Sequence, residues 1–302
     1  MGGMIEPNAS STARVACSTF VMLPLLASSL IAVLAAAPAQ QDSPHAGMLR
    51  YPDVSATHIA FSYANDLWIV PRSGGQAVPL ASPPGQELFP RFSDDGKQLV
   101  FQGNYDGGRD LYLMSTVGGT PLRLTHHPAA ETPLGWTPDG RVLLMSGGFA
   151  DFPKWTRMLT VSTNGGLPEA LPIPYGTMGA LHQGGRLLAY TPHTTDHRTW
   201  KRYRGGMATD IWIFDLQDRS ARRITGWEGT DTQPMWHGDV LYYLCDAGPE
   251  HRLNLWRYDL ATEKSVQVTR HTDYDVKWPA IGPDAIVYQL GASLMLMDLA
   301  TA

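Results

Sequence analysis

Two histidines spaced i, i+4, His193 and His197, are the first residues in this 302-residue chain whose types and spacing suggest chemistry. On a helix such a pair shares one face and can ligate a single metal ion. Here the intervening Thr194-Thr195-Asp196 belongs to a long polar connection with no third ligand signalled, so a solvated loop and no metal are expected. The run Asn104-Tyr105-Asp106-Gly107-Gly108-Arg109-Asp110 offers oxygen ligands at alternate positions. It lacks the distal Glu of a calcium loop and reads as a hairpin turn. Cys245 ends the strand-like Leu241-Tyr242-Tyr243-Leu244-Cys245, where a buried, inert thiol is expected rather than a nucleophile. The chain holds no Gly-x-Ser-x-Gly elbow, no His-Glu-x-x-His and no Gly-rich phosphate loop. Ser, His and Asp occur, but a triad is a spatial object, so no catalytic residue and no cofactor are assigned.

One cluster stands out by charge. Trp200, Lys201, Arg202, Tyr203 and Arg204 interleave aromatic and basic side chains in the longest interval between repeats. Trp and Arg are enriched at interfaces, and guanidinium groups pair with carboxylates. The cluster is a candidate contact for peptide or a neighbouring subunit, or else an ordinary solvated loop.

The elements that would carry these residues follow from composition. Charged residues make up 17% of the chain, below the roughly 25% of an average soluble domain. Aromatics reach 10% with nine Trp, and 30 Gly with 23 Pro demand many turns. This excludes a disordered chain, a coiled coil and a charge-rich helical bundle, and favours an all-β fold. A net charge of −5 gives no reason to expect a nucleic-acid partner.

A motif recurs six times. Asp66-Leu67-Trp68-Ile69-Val70, followed by Gly74-Gly75, returns as Asp110-Leu111-Tyr112-Leu113-Met114 with Gly118-Gly119. Its copies centre on Trp68, Tyr112, Leu159, Trp212, Trp256 and Met295, at spacings of 44, 47, 53, 44 and 39. This is the period of a propeller blade. Asp94-Asp95-Gly96, Pro138-Asp139-Gly140 and Gly184-Gly185 precede strand-like runs and supply hairpin turns. Each unit is therefore expected to be a four-stranded antiparallel blade, with the six centres as blade-packing anchors on the third strand. The sixth copy stops at Ala300-Thr301-Ala302, before its fourth strand. The expected fold is an all-β, six-bladed β-propeller over residues 48–302 with an incomplete last blade. A missing edge strand suggests the front part of a longer protein.

The N-terminus reads as an export signal. Arg14 precedes an uncharged stretch, residues 20–37 are almost wholly apolar or small, and Ala37-Pro38-Ala39 is followed by polar residues. A signal peptide over 1–39 and a linker over 40–47 are expected, with a membrane anchor over 15–37 the competing possibility. Cleavage would leave Cys245 alone, with no intrachain disulfide.

The pattern Pro-x-Phe-Ser-x-Asp-Gly, Asp-Leu-Tyr-x-Met, Gly-Gly, Arg-Leu-Thr over residues 90–125 resembles repeats shared by TolB proteins and tricorn proteases. Residues 53–71, the run Thr199-Trp200-Lys201-Arg202-Tyr203-Arg204-Gly205-Gly206 and the run Thr272-Asp273-Tyr274-Asp275-Val276 resemble the tricorn family. The resemblance implies a non-catalytic propeller at the front of an exported multidomain serine peptidase that cleaves peptides and assembles as a hexamer. It implies peptides and the remaining protease domains as partners. Archaeal members hold a peptide C-terminus with an arginine pair between the second and third blades. The corresponding residues 125–133 contain no arginine, leaving His126 or His127 as possible substitutes. A free-standing, TolB-like periplasmic scaffold is the alternative.

Overall fold

The computed structural model describes residues 47–152 and 155–301. The expected signal segment and nearly all of the linker lie outside the described residues. Six antiparallel sheets follow one another along the chain. The first is β1 (Arg50–Val54), β2 (His58–Tyr63), β3 (Asp66–Pro71) and β4 (Val78–Ala81). The second is β5 (Glu87–Phe92), β6 (Gln98–Gly103), β7 (Asp110–Ser115) and β8 (Leu122–Arg123). The third is β9 (Glu131–Trp136), β10 (Val142–Ser146), β11 (Arg157–Val161) and β12 (Glu169–Ala170). The fourth is β13 (Thr177–Leu181), β14 (Leu187–Thr191), β15 (Trp212–Asp215) and β16 (Ala221–Arg223). The fifth is β17 (Asp231–His237), β18 (Val240–Cys245), β19 (Asn254–Asp259) and β20 (Lys264–Gln267). The sixth has three strands, β21 (Val276–Ile281), β22 (Ala285–Leu290) and β23 (Ser293–Asp298). This is the expected six-bladed propeller, with three strands in the last blade.

The turn residues act as the sequence predicts. Gly96 and Gly140 adopt φ of 68° and 77° and close tight turns onto Ser93 and Thr137. Within each blade the first and third strands run in the same direction. The second-to-third hairpins therefore emerge with the inter-blade connections on one face, the connection face. The first-to-second turns emerge on the other, the turn face.

The core is a set of blade-to-blade interfaces. Third-strand residues alternate their allegiance, because successive side chains point to opposite sides of a strand. Leu67 and Ile69 join Phe101, Tyr112 and Met114 of the second blade. Leu111 and Leu113 join Leu144, Leu159 and Val161 of the third. The same logic places Trp212 against the third blade, Trp256 against the fourth and Met295 against the fifth. Tyr112 and Leu159 are buried, whereas Trp68, Trp212, Trp256 and Met295 are half-buried. Cys245 is buried in the fifth blade, and burial pushes its thiol pKa up.

Closure of the ring is thinner. The first and sixth blades share a cluster of only Val54, Ala280 and Val287 with Ile59 beside them. An Arg72–Asp284 ion pair at 2.5 Å spans the same seam.

Candidate functional site

The innermost strands line a central channel. Five of them carry a residue other than glycine in left-handed backbone: Tyr51, Phe89, Met178, Gln233 and Trp278, with φ between 47° and 55°. Each lies where the pairing register with the second strand slips. These are β-bulges, which bend a strand and re-aim its side chains. Left-handed backbone costs an L-residue about 1–2 kcal/mol, so five repetitions amount to substantial stored strain at one place.

The bulges bring three rings together near the axis. Tyr51 lies 4.0 Å from Phe89 and 5.0 Å from Trp278 between ring centroids, and Phe89 lies 5.5 Å from Trp278. A fourth ring arrives from elsewhere. His197, in the β14–β15 connection, sits 4.9 Å from Trp278 and 6.1 Å from Phe89. Burial lowers its pKa, and nearby Lys277 and Arg109 push the same way against Asp196. These effects favour the neutral ring.

Residues 192–211 form a strap across the connection face. Asp196 is its buried fastening: it accepts hydrogen bonds from Thr194 (2.6 Å), Thr232 (2.9 Å) and the Gln233 amide (2.6 Å). The basic cluster fastens the rest. Lys201 pairs with buried Asp275 at 2.6 Å, and Arg202 donates to the His251 carbonyl at 2.9 Å. Arg204 lies over Trp227 and pairs with Asp246 at 3.4 Å. The Trp200 and Tyr203 rings meet at a tilt, 5.0 Å between centroids, and remain 45% and 37% exposed. The insert covers a face of the propeller, and its cations are committed within the chain.

Below the aromatic cluster lies a cavity of about 670 Å³. Phe89, Met178, Gln233 and Trp278 line it at the bulges, and Ser93, Pro138, Gln183, His237 and Pro283 line it at the turn face. No residue of the strap lines it. Its walls carry Trp136, Met145, Met235 and Trp236 with three charged residues: Asp53, Arg91 and, exposed at the turn face, Asp94. Burial raises the Asp53 pKa to about 6, against the opposing pull of Arg91 and of the Phe92 and Val54 main-chain amides. Arg91 donates to the carbonyls of Leu134 and Pro90.

His193 bonds the Met207 carbonyl, so the i, i+4 histidines serve separate contacts. Among the described residues no group of three or more His, Cys, Asp or Glu is placed to hold a metal. Asp106 and Asp110 of the second-blade hairpin both pair with Arg123, at 2.9 and 2.8 Å. His126 is exposed, and His127 lies 4.5 Å from the Phe149 ring. No helix among the described residues is long and apolar enough to cross a membrane.

Sequence reasoning missed the bulges and the channel residues they aim. One signal was present: Tyr51, Phe89, Gln233 and Trp278 each precede a proline. Proline cannot donate to a ladder, so a recurrent X-Pro in the first strand marks the broken register. It missed the buried acids Glu87, Glu131 and Asp231 as well. Each opens the first strand of a blade and bonds through its main-chain N–H to the preceding blade, just before Asp66, Asp110 or Asp210.

Comparison with known proteins gives a consistent result. Residues 46–302 match the family described as tricorn protease N-terminal beta propeller domain. Tricorn protease homolog 1 of Streptomyces coelicolor is 32% identical over 258 residues, covering 83% of this chain and 23% of that protein. A tricorn protease homolog of Saccharolobus solfataricus is 24% identical over 254 residues, covering 82% and 23%. The crystal structure of the tricorn protease superposes with a TM-score of 0.75 at 21% identity, over 84% of this chain and 25% of that one. The chain thus spans about a quarter of the length of these relatives.

Proposed function

The chain belongs to the tricorn protease family, and on that premise we propose that it is the non-catalytic N-terminal propeller of an exported tricorn-type serine peptidase. The observation that carries this reading is the match of residues 46–302, as a unit, to the N-terminal propeller of that family. In this reading its partners are peptides and the remaining domains of the peptidase, and the whole assembles as a homo-oligomer. Its contribution is steric. A channel with one mouth strapped shut admits an extended chain only when residues 192–211 move, and it excludes folded proteins. Export rests on the apolar N-terminal stretch. Trp200 and Tyr203 are the strap residues offered to a peptide or a neighbouring subunit, while Lys201, Arg202 and Arg204 hold the strap in place. Trp68, Tyr112, Leu159, Trp212, Trp256 and Met295 act as blade anchors.

The test is the size of the native product, by mass spectrometry of peptides across the locus in the source cells. Peptides continuing past Ala302 into a much larger, exported product are expected. A native product ending at Ala302 would overturn the peptidase reading in favour of a free-standing binding propeller.

A further inference from the structure

The channel cavity carries an unusual pairing of charges. Asp53 and Arg91 line the same space, yet no ion pair joins them, and no carboxylate among the described residues pairs with Arg91. Arg91 spends Nε and one Nη1 donor on main-chain carbonyls, and among the described residues Nη2 has no hydrogen-bond partner. Asp53 is 6% exposed and uses Oδ2 to accept from the Phe92 N–H at 2.6 Å. Around this couple the wall is aromatic and thioether: Trp136, Trp236, Trp278, Met178 and Met235.

These features constrain an occupant. The volume of about 670 Å³ falls within the range of small-molecule sites, roughly 300–1,000 Å³. The bulges lie at one end of the cavity and the hairpin turns at the other, so a ligand entering from the turn face meets the bulge residues. A neutral ligand would strip water from both charges and return nothing to either, which is costly. An anion would answer Arg91 but crowd Asp53, and a cation would do the reverse. A molecule bearing both charges a few bonds apart satisfies both groups, and its apolar side chain displaces water from the indole and thioether wall. We propose that the cavity binds a small zwitterion, with its free α-ammonium on Asp53, its free α-carboxylate on Arg91 and an apolar side chain against Trp136, Trp236 and Trp278. A single amino acid and a dipeptide share this chemistry.

The inference stands independently of the peptidase reading, since it uses only groups in the cavity. Calorimetric titration of the full chain tests it with four probes: leucine, Leu-Leu, N-acetyl-Leu-Leu and Leu-Leu amide. At least one free-ended probe is expected to bind at one site per chain, and whether it is leucine or Leu-Leu identifies the source. If leucine alone binds, N-acetyl-leucine and leucine amide replace the capped dipeptides. Capping either end should weaken binding roughly tenfold or more, the loss of one charge-assisted contact. In Arg91→Gln the penalty for the C-terminal amide should vanish while the penalty for N-acetylation persists. Should that variant fail to fold, the capping series on the natural chain decides alone. Equal binding of capped and free probes, no binding of either free-ended probe at millimolar concentration, or an undiminished amide penalty in a folded Arg91→Gln protein would overturn the proposal.

Discussion

Asp196 fastens the strap to the fifth blade. Its carboxylate is buried and receives two hydrogen bonds from the fifth blade, one from Thr232 and one from Gln233. Removing it leaves two buried donors of the next blade without an acceptor, and each charge-assisted bond lost costs about 1.5–3 kcal/mol. His197, the next residue, stays on Trp278 only while that fastening holds. Asp196→Ala should therefore release the strap without dissolving the blades, whose cores do not include it. A loss of roughly 3 kcal/mol or more raises the open population at least about 150-fold. Limited trypsin digestion reads this directly, because Arg198, Lys201, Arg202 and Arg204 all lie in the strap. Cleavage there should accelerate in Asp196→Ala with the rest of the pattern unchanged. Asp196→Asn, which keeps one acceptor, should fall between. Unaltered digestion would mean that the cations of the strap suffice to hold it.

Strand order, blade count and turn positions were legible in the sequence because each repeat writes its own period and turn glycines. Tyr112 and Leu159 could be assigned to blade interfaces from spacing alone. The use made of His197 could not, since its partners Phe89 and Trp278 lie 108 and 81 positions away in the chain. The basic cluster was visible, but its pairing with Asp246 and Asp275 depends on how the strap folds back. The buried acids were hidden for the same reason: Glu131 looks like any surface Glu until the neighbouring blade covers it. These acids set the pH response of the blades. Burial raises Glu87, Glu131 and Asp231 each to about 7. At Glu131 the Asp110 charge adds to this, while the Thr125 hydroxyl and the Arg123 charge oppose it. An unfolded Glu releases its proton near the ordinary 4.5, whereas the folded one holds it to about 7. The unfolded state is thus favoured progressively as pH rises between those values, and the loss is complete above the upper one. Chemical denaturation should show the chain more stable at about pH 5.5 than at about pH 8.5. Glu131→Gln, neutral throughout, should gain roughly 1–3 kcal/mol at the higher pH and about half of that or less at the lower. A stability that rises with pH across this range would contradict the assignment.

A ring of six blades is as strong as its weakest interface, and five of the six are built alike. Each joins seven or eight buried side chains across two neighbouring sheets. The sixth, between the last blade and the first, has three buried residues and Ile59, with Leu296 of β23 left 39% exposed. Buried apolar area sets stability at about 25 cal/mol per Å², so this seam carries the smallest share. Its fit is nonetheless tight at one point: a Cβ added at Gly282 would meet the Val54 carbonyl oxygen at 2.5 Å and a Val54 methyl at 3.1 Å. The main-chain atom cannot step aside as a flexible side chain could. Local opening starts where buried contacts are fewest. Native-state hydrogen exchange should therefore release β21, β22 and β23 first, together with β1, while the second to fifth blades exchange later as a group. Gly282→Ala should speed exchange in those four strands selectively. It should lower the melting temperature by roughly 2–8 °C, the shift expected for an overpacking cost of about 1–2 kcal/mol in a domain of this size. Exchange that proceeds evenly around the ring, or a Gly282→Ala effect spread over all six blades, would mean that the Arg72–Asp284 pair and the Val54 contacts bind the seam as firmly as the five apolar interfaces.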